Sequence, residues 1–578
     1  MNPSPSGVSL VFCGAAGQGL QTIEDAVAHS LSYAGQHLFT TREVMSRVRG
    51  GMNSSALRIA SKPVRGITDR IDYLFLLSGG LRPNVAARIT EQTHIFGDAN
   101  AVGEEIKSLG FDMTDIELAA RAKEAGGSLY EGMIVAGIVT ALYTLPESCA
   151  DTFIDLKFGS KPDIAAKNKT AFRMGHAFGL ALPQNIRPTA EIGKRQKERV
   201  FMDGNTAIGL GAAAAGCNFA VAYPMSPGTA LFGFFSKNAA QFGAVAEQVE
   251  DELAAVNMAI GASYAGAKSL VSTSGGGFAL MCEGISLAGM TETPLVIHLA
   301  QRPGPATGMA TRTEQGDLEL ALHAGHGDFP RALFTPGSVE SCFTIAAHAF
   351  DVANRFQTPV ILLTDQYLLE SGYDIVSPDP DNIATLQKAD KTTPDYKRYA
   401  LTPNGISPLG IPGYGEGLIS ADSHEHTESG HISEDFDLRL RMTEKRFKKL
   451  AAMKAEALDP VFFGPTDFKT LIVGWGSTME ILKEAFEISL LENTALVCCE
   501  QVYPISPKLE QLLLEAEKTV FVENNATGQF ARLVRAETGV TATKKILKYN
   551  GLPFSVEELA AELALIHTQQ NREGGFLS

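Results

Sequence analysis

Between about Gly204 and Asp374 the sequence alternates short apolar runs with Ala-rich segments long enough for helices; the runs are Ala220 to Tyr223, Ser269 to Thr273, Leu295 to Leu299 and Val360 to Leu363. Strands that recur with helices between them pair in parallel, because each crossover returns the chain to begin the next strand in the same direction. The expected fold is α/β, with a doubly wound parallel sheet in this region. Ligands of such sheets sit outside the carboxyl ends of the strands. The loops after these strands, Pro224 to Thr229, Ser274 to Gly277 and Gln301 to Thr311, are therefore where chemistry is expected.

A chain of 578 residues exceeds one hydrophobic core, so several domains are expected. Residues 1–190 read as a first α/β unit. It opens with the strand Val8 to Cys13, the glycine loop Gly14 to Gly19 and a helix from Leu20 to Ala34. Such a loop presents backbone N–H groups and a helix N-terminus to a phosphate, or is simply a tight turn. The Lys-rich stretch from Ile192 to Arg199 reads as a linker into the second unit, residues 200–375. Residues 376–466 are rich in Pro, Gly, Asp and His and read as a connecting arm, apart from a basic helix from Arg439 to Ala457. Residues 467–578 form a last α/β unit with strands Thr470 to Trp475, Thr494 to Cys498 and Thr519 to Glu523.

The net charge of −16 argues against sequence-independent nucleic-acid binding. The N-terminus lacks the basic start of a signal peptide, and no apolar stretch is long enough to span a bilayer, so a cytoplasmic protein is expected. Seven scattered cysteines with no CxxC pair suit neither an iron–sulfur cluster nor structural zinc. Electron transfer through a metal cluster would fall to another chain. His424, His426 and His431 read as part of a hydrated loop rather than a metal site, and the basic run Lys445 to Lys454 as a solvated helix face.

The segment Glu247 to Gly261 reads as a helix that starts acidic and soon becomes small and apolar, with Glu252 at the change. A carboxyl there would be partly desolvated and its pKa raised. The alternative is that Glu250, Asp251 and Glu252 only complement the positive end of the helix.

Four segments taken together carry more information: Tyr223-Pro-Met-Ser-Pro-Gly-Thr229, Glu250 to Gly261, Ser272-Thr-Ser-Gly-Gly-Gly277 and Gln301-Arg-Pro-Gly-Pro-Ala-Thr-Gly308. In this order and spacing they resemble the α subunit of 2-oxoacid:ferredoxin oxidoreductases of the 2-oxoglutarate type. Gly405 to Gly413, the loop near His424 and Glu523 to Leu533 resemble the family's arm and C-terminal domain, and residues 7 to 190 resemble its fused γ domain. The resemblance implies a Rossmann-like γ domain, a pyrimidine-type domain for thiamin diphosphate and a transketolase C-terminal-like domain.

It also implies roles. Glu252 would activate the cofactor's aminopyrimidine, with Tyr223, Pro224, Gly275 and Gly276 around the cofactor. Arg302 would face the substrate carboxylate, a role suited to a planar fork of donors. Ser226, where many members have Thr, and Thr311 would contact the oxoacid. In the γ-like unit, Gly17, Gly19, Arg47, Arg49, Asn53 and Ser54 would contact coenzyme A, although Ala16 stands where a Gly is usual.

No Gly-Asp-Gly, the start of the diphosphate and Mg²⁺ motif of thiamin enzymes, occurs in the chain. This gap and the resemblance imply a β subunit that carries the motif, the Mg²⁺ and a [4Fe–4S] cluster, in an (αβ)2 heterotetramer that reduces ferredoxin. The implied reaction is oxidative decarboxylation of 2-oxoglutarate with coenzyme A, or its reverse; pyruvate and broader 2-oxoacids are the alternatives. The missing motif counts against a self-sufficient decarboxylase or transketolase-like enzyme. The pairing of Glu252 with Arg302 counts against a Rossmann-like nucleotide-binding scaffold.

Overall fold

In a computed structural model, described for residues 5–45, 50–188, 198–383 and 388–566, the chain builds three sheets of eight, seven and five strands, flanked by helices. Arg47 and Arg49 and most of the expected linker lie outside the described residues.

The first sheet is mixed. Val8–Ala15 runs parallel to Tyr73–Leu76 on one side and antiparallel to Met52–Ala60 on the other. Leu10, Phe12, Leu57, Ile59 and Phe75 pack beneath the helices Leu20–Tyr33 and Glu131–Leu142. Eleven of the twelve residues of Glu131–Leu142 are buried, as expected of a helix that is apolar on every side. Two further strands join the far edge from beyond the unit: Gly372–Val376 pairs with His37–Glu43, and Arg199–Asp203 pairs with Gly372–Val376.

The second sheet runs in the order 501–503, 332–334, 359–365, 295–301, 269–273, 219–222, 245–248. All its neighbours pair in parallel except Gln501–Tyr503, which comes from the last unit and adds antiparallel at one edge. The central strands Ser269–Thr273, Leu295–Gln301 and Pro359–Asp365 are buried along their whole length. A sheet covered by helices on both faces produces this continuous burial. The third sheet is parallel in Thr494–Cys499, Thr470–Trp475, Lys518–Glu523 and Lys544–Leu547, with Val461–Phe463 antiparallel at its edge.

Two expectations fail and a third holds only in part. The segment from Glu247 is not one helix: Val245–Gln248 is an edge strand, and the helix starts at Glu252 with Asp251 as its cap. The basic run in the helix Phe436–Ala455 is not a solvated face, because Lys445 and Lys449 are 1% and 0% exposed and both bind the carboxylate of buried Glu292. A carboxylate on a distant turn turned this stretch of the helix inward. The histidine loop is likewise only partly hydrated: His424 is exposed, whereas His426 is fully buried with its ring 4.0 Å from that of Tyr399. Among the described residues, no group of three or more His, Cys, Asp or Glu side chains is arranged to hold a metal ion.

Candidate active site

The loops after three parallel strands converge at the carboxyl end of the second sheet. One hydrogen-bonded column holds them. Ser272 Oγ donates to Gly228 O at 2.9 Å and lies 2.9 Å from Nδ1 of His298, whose Nε2 lies 2.8 Å from Thr364 Oγ1. His298 is fully buried, and burial lowers its pKa to about 3, so the ring is neutral and serves as a strut between strands. The column fixes Gly228, and with it the loop that carries Tyr223, Pro224 and Ser226.

Glu252 is the first residue of its helix. Asp251 caps the helix by accepting from Ala254 N at 2.7 Å, and Glu252 is left out of that task. Its side chain is 3% exposed, and Oε1 is buried with no hydrogen-bond partner. Burial raises its pKa, and the neighbouring charge of Asp251 raises it further. A carboxyl in such a place accepts or shares a proton readily, a property that a helix cap does not need.

The turn Ser274 to Gly277 passes directly by this carboxyl. A β-carbon on Gly277 would overlap Glu252 Oε1 and Thr273 Oγ1, so only glycine lets the turn come so close. Ser274 Oγ is also buried and unpartnered. Gly275 is partly buried on the other flank of the turn, and Gly276 is exposed.

Arg302 follows the strand Leu295–Gln301 and donates from Nη1 to Ser226 O at 2.6 Å. This bond joins two of the expected substrate loops. Burial lowers the pKa of Arg302, while the charge of Asp317 acts to raise it. Thr311 is partly buried, and its carbonyl accepts from Arg312 Nη1 at 2.9 Å. The same nitrogen reaches Val44 O in the first unit at 3.2 Å. Tyr223 stands at the rim, 40% exposed.

A separate cavity of about 640 Å³ lies where the first sheet meets the second unit. Gly17, Gly19, Asn53 and Ser54 line it together with Arg42, Asp203 and Asn205. Gly17 and Gly19 have φ of 94° and 76°, a left-handed conformation that favours glycine. Arg42 is clamped by the fully buried Glu24, through Nε at 2.8 Å and Nη2 at 2.7 Å, and Ser55 Oγ donates to the same carboxylate at 2.7 Å. The structure thus brings together every described member of the coenzyme A group expected from sequence.

Sequence reading missed Asp317. It lies close to Gly275, and the only signal for it was the chain's return to the site after the exposed loop that follows Arg302.

Comparison with known proteins places these features. A family model described as pyruvate flavodoxin/ferredoxin oxidoreductase, thiamine diP-bdg, matches residues 210–445, and one described as pyruvate ferredoxin/flavodoxin oxidoreductase matches residues 9–178. The 2-oxoacid:ferredoxin oxidoreductase subunit alpha of Sulfolobus sp is 30% identical across 98% of this chain and 98% of its own. The 2-oxoglutarate oxidoreductase subunit KorA of Mycobacterium tuberculosis is 27% identical across 96% of this chain and 90% of its own. A structure of 2-oxoglutarate:ferredoxin oxidoreductase from Magnetococcus marinus, with 2-oxoglutarate, coenzyme A and succinyl-CoA bound, superposes with a TM-score of 0.88. It is 28% identical and covers 97% of this chain and 99% of its own. The match over residues 210–445 places the second sheet and its loops in the thiamin-diphosphate-binding class of α/β oxidoreductase. Within that class, the chain belongs to the family of 2-oxoacid:ferredoxin oxidoreductase alpha subunits.

Proposed function

We propose that this chain holds the aminopyrimidine half of thiamin diphosphate in a coenzyme A-dependent 2-oxoglutarate:ferredoxin oxidoreductase. One 2-oxoglutarate, one coenzyme A and two oxidised ferredoxins give succinyl-CoA, CO2, one proton and two reduced ferredoxins; the chemistry can also run in reverse. The observation that carries this reading is Glu252 Oε1, buried without a partner beside a turn that only glycine permits. A buried acceptor without a partner is costly in a free protein, and a ring nitrogen of the cofactor would satisfy it.

The residues fit the cofactor. Glu252 would hold a proton at Oε1, Ser274 Oγ would offer a second polar contact, and the bare backbone of Gly275 to Gly277 would let a flat ring approach. Thiamin diphosphate, when bound, supplies the electron sink that decarboxylation of a 2-oxoacid requires. Arg302 would orient the oxoacid by its carboxylate, with Ser226 and Thr311 beside it. Gly17, Gly19, Asn53 and Ser54 would receive coenzyme A, together with Arg47 and Arg49.

The site is half of one. Tyr223, Leu253, Met258, Leu280 and Met309, all on the loops and helices of the site, are 40% to 50% exposed. Apolar side chains gathered at a ligand site are covered by a partner. A β subunit with the diphosphate motif, Mg²⁺ and a [4Fe–4S] cluster, in an (αβ)2 assembly, is the partner proposed. The 2-oxoglutarate preference is supported by the M. tuberculosis and M. marinus relatives. The place proposed for the enzyme is the cytoplasm; among the described residues no single helix is long and apolar enough to cross a membrane.

The test is steady-state turnover of the chain purified with its partner, comparing 2-oxoglutarate, pyruvate and 2-oxobutyrate. A kcat/KM highest for 2-oxoglutarate is expected; a preference for pyruvate would overturn the substrate assignment.

A further inference from the structure

Asp317 precedes the short helix Leu318–Leu322 in the position where an aspartate ordinarily accepts a backbone N–H, yet its side chain makes no capping bond. Its Oδ2 is instead buried with no hydrogen-bond partner. The carboxyl lies against the glycine turn: a β-carbon on Gly275 would stand 2.6 Å from Oδ2 and 2.7 Å from Oδ1. The turn thus separates two buried, unpartnered carboxyl oxygens, Glu252 beside Gly277 and Asp317 beside Gly275.

The position of Asp317 is firmly set. Its own N–H donates to Gln301 Oε1 at 2.9 Å, and Gln301 Nε2 donates to Thr364 O at 3.0 Å. Gln315, two residues earlier, exchanges bonds with Asn524 in both directions and donates to Trp475 O at 2.8 Å. Gln529 Nε2 donates to Gly316 O at 2.7 Å, and Gln529 Oε1 accepts from Glu319 N at 3.0 Å. The last unit therefore clamps residues 315–319 from both sides, an arrangement that a surface cap would not require.

The charged groups that face Asp317 are few. Arg302 acts on it from the preceding loop, and Glu314 from three residues back. Glu319 and Arg532, farther along, are paired with each other. Gln301 connects the two, because Arg302 follows it in the chain while its side-chain oxygen accepts a hydrogen bond from Asp317 N.

We propose that Asp317 is a positioning and specificity-determining residue for the oxoacid, acting on the substrate carboxylate through the charge of Arg302. As an anion it offsets the positive charge of Arg302 that the substrate carboxylate needs; when protonated it leaves that charge to the substrate and adds an O–H donor. Burial raises the pKa of Asp317 to about 6, against the opposing pull of Arg302. Substrate binding then weakens as pH rises through that value.

This inference rests on the proposed role of Arg302, and the experiment separates the two. Wild type, Asp317→Asn and Arg302→Ala are prepared as the complete two-chain enzyme, with thermal unfolding and thiamin content checked for each. KM and kcat for 2-oxoglutarate, and by calorimetry the dissociation constant of 2-hydroxyglutarate, which cannot be decarboxylated, are followed from pH 5.5 to 8. Wild type should bind about threefold to tenfold more weakly at the alkaline end, as expected for one partly screened charge. Asp317→Asn should bind both ligands tightly at every pH, with the change in KM rather than kcat. A folded Asp317→Asn enzyme that keeps the wild-type pH profile, or one that loses kcat at unchanged KM, would overturn the role of Asp317. If Asp317→Asn does not fold, the wild-type 2-hydroxyglutarate profile decides alone, and a flat profile overturns the proposal. Unaltered oxoacid binding in Arg302→Ala would instead overturn the assignment of Arg302.

Discussion

Gly277 and Glu252 occupy one space: the side chain that the glycine lacks would overlap the unpaired carboxyl oxygen of the glutamate. Gly277→Ala should therefore displace the carboxyl while the fold survives, since Ala is a better helix former than Gly by roughly 1 kcal/mol. Activity of the two-chain enzyme is expected to fall at least about tenfold, with far-ultraviolet circular dichroism unchanged. Full activity would show that Glu252 does not need its place beside the turn.

Arg302→Ala is expected to weaken use of the oxoacid and leave thiamin content intact. Loss of a charge-assisted contact costs on the order of 2 to 4 kcal/mol in kcat/KM. Steady-state kinetics with cofactor analysis of the same preparation reads both quantities.

Glu292 tests the architecture away from the chemistry. Its carboxylate binds Lys445 and Lys449, all three buried, while Arg398 donates to the Glu292 carbonyl at 2.6 Å and to Gln357 at 2.6 Å. The two lysines and Arg398 hold the Glu292 pKa well below the carboxylate range, against burial. A carboxylate with a depressed folded pKa adds stability above its unfolded pKa, and that stability is lost as pH falls. Glu292→Gln strands two buried ammonium groups and should cost about 3 to 5 kcal/mol, read by denaturant unfolding at pH 7. A change below about 1 kcal/mol would show that the cluster carries little of the fold's stability.

The isolated chain should bind thiamin diphosphate poorly and show no iron–sulfur absorption, because the diphosphate motif and the cluster are assigned to the partner. Calorimetry and a visible spectrum check this, and tight stoichiometric binding by the chain alone would contradict a divided site.

Much of this was legible in the amino-acid order because the strands of the second sheet are apolar along their whole length and end in loops with unusual residues. Ser269–Thr273 emerged as read and Leu295–Gln301 two residues longer than read; the loop after the first passes Glu252, and Arg302 opens the loop after the second. What local pattern does not carry is pairing over long range. Val245–Gln248 is short, polar and largely exposed at a sheet edge, so it read as the start of the following helix. Arg199–Asp203 and Gly372–Val376 joined the first sheet although they bracket the second unit in sequence. Lys449 read as solvated because Glu292 lies 157 residues away. Asp317 escaped notice for the same kind of reason: the Gly275 backbone it touches belongs to another loop.

Glu252 is assigned to the cofactor rather than to the helix. Asp251 already caps the helix, and the folded-state pKa of Glu252 is raised. An acid with a raised folded pKa is best tolerated when protonated, so its cost to stability grows as pH rises through the folded value. Glu252→Gln should accordingly unfold no more easily than wild type at pH 7. The decisive measurement is exchange of the thiazolium C2 proton of thiamin diphosphate in the two-chain enzyme, followed by NMR after acid quench. A fall of about 10²- to 10⁴-fold in Glu252→Gln, at unchanged thermal stability, is predicted; wild-type exchange in the variant would contradict the assignment.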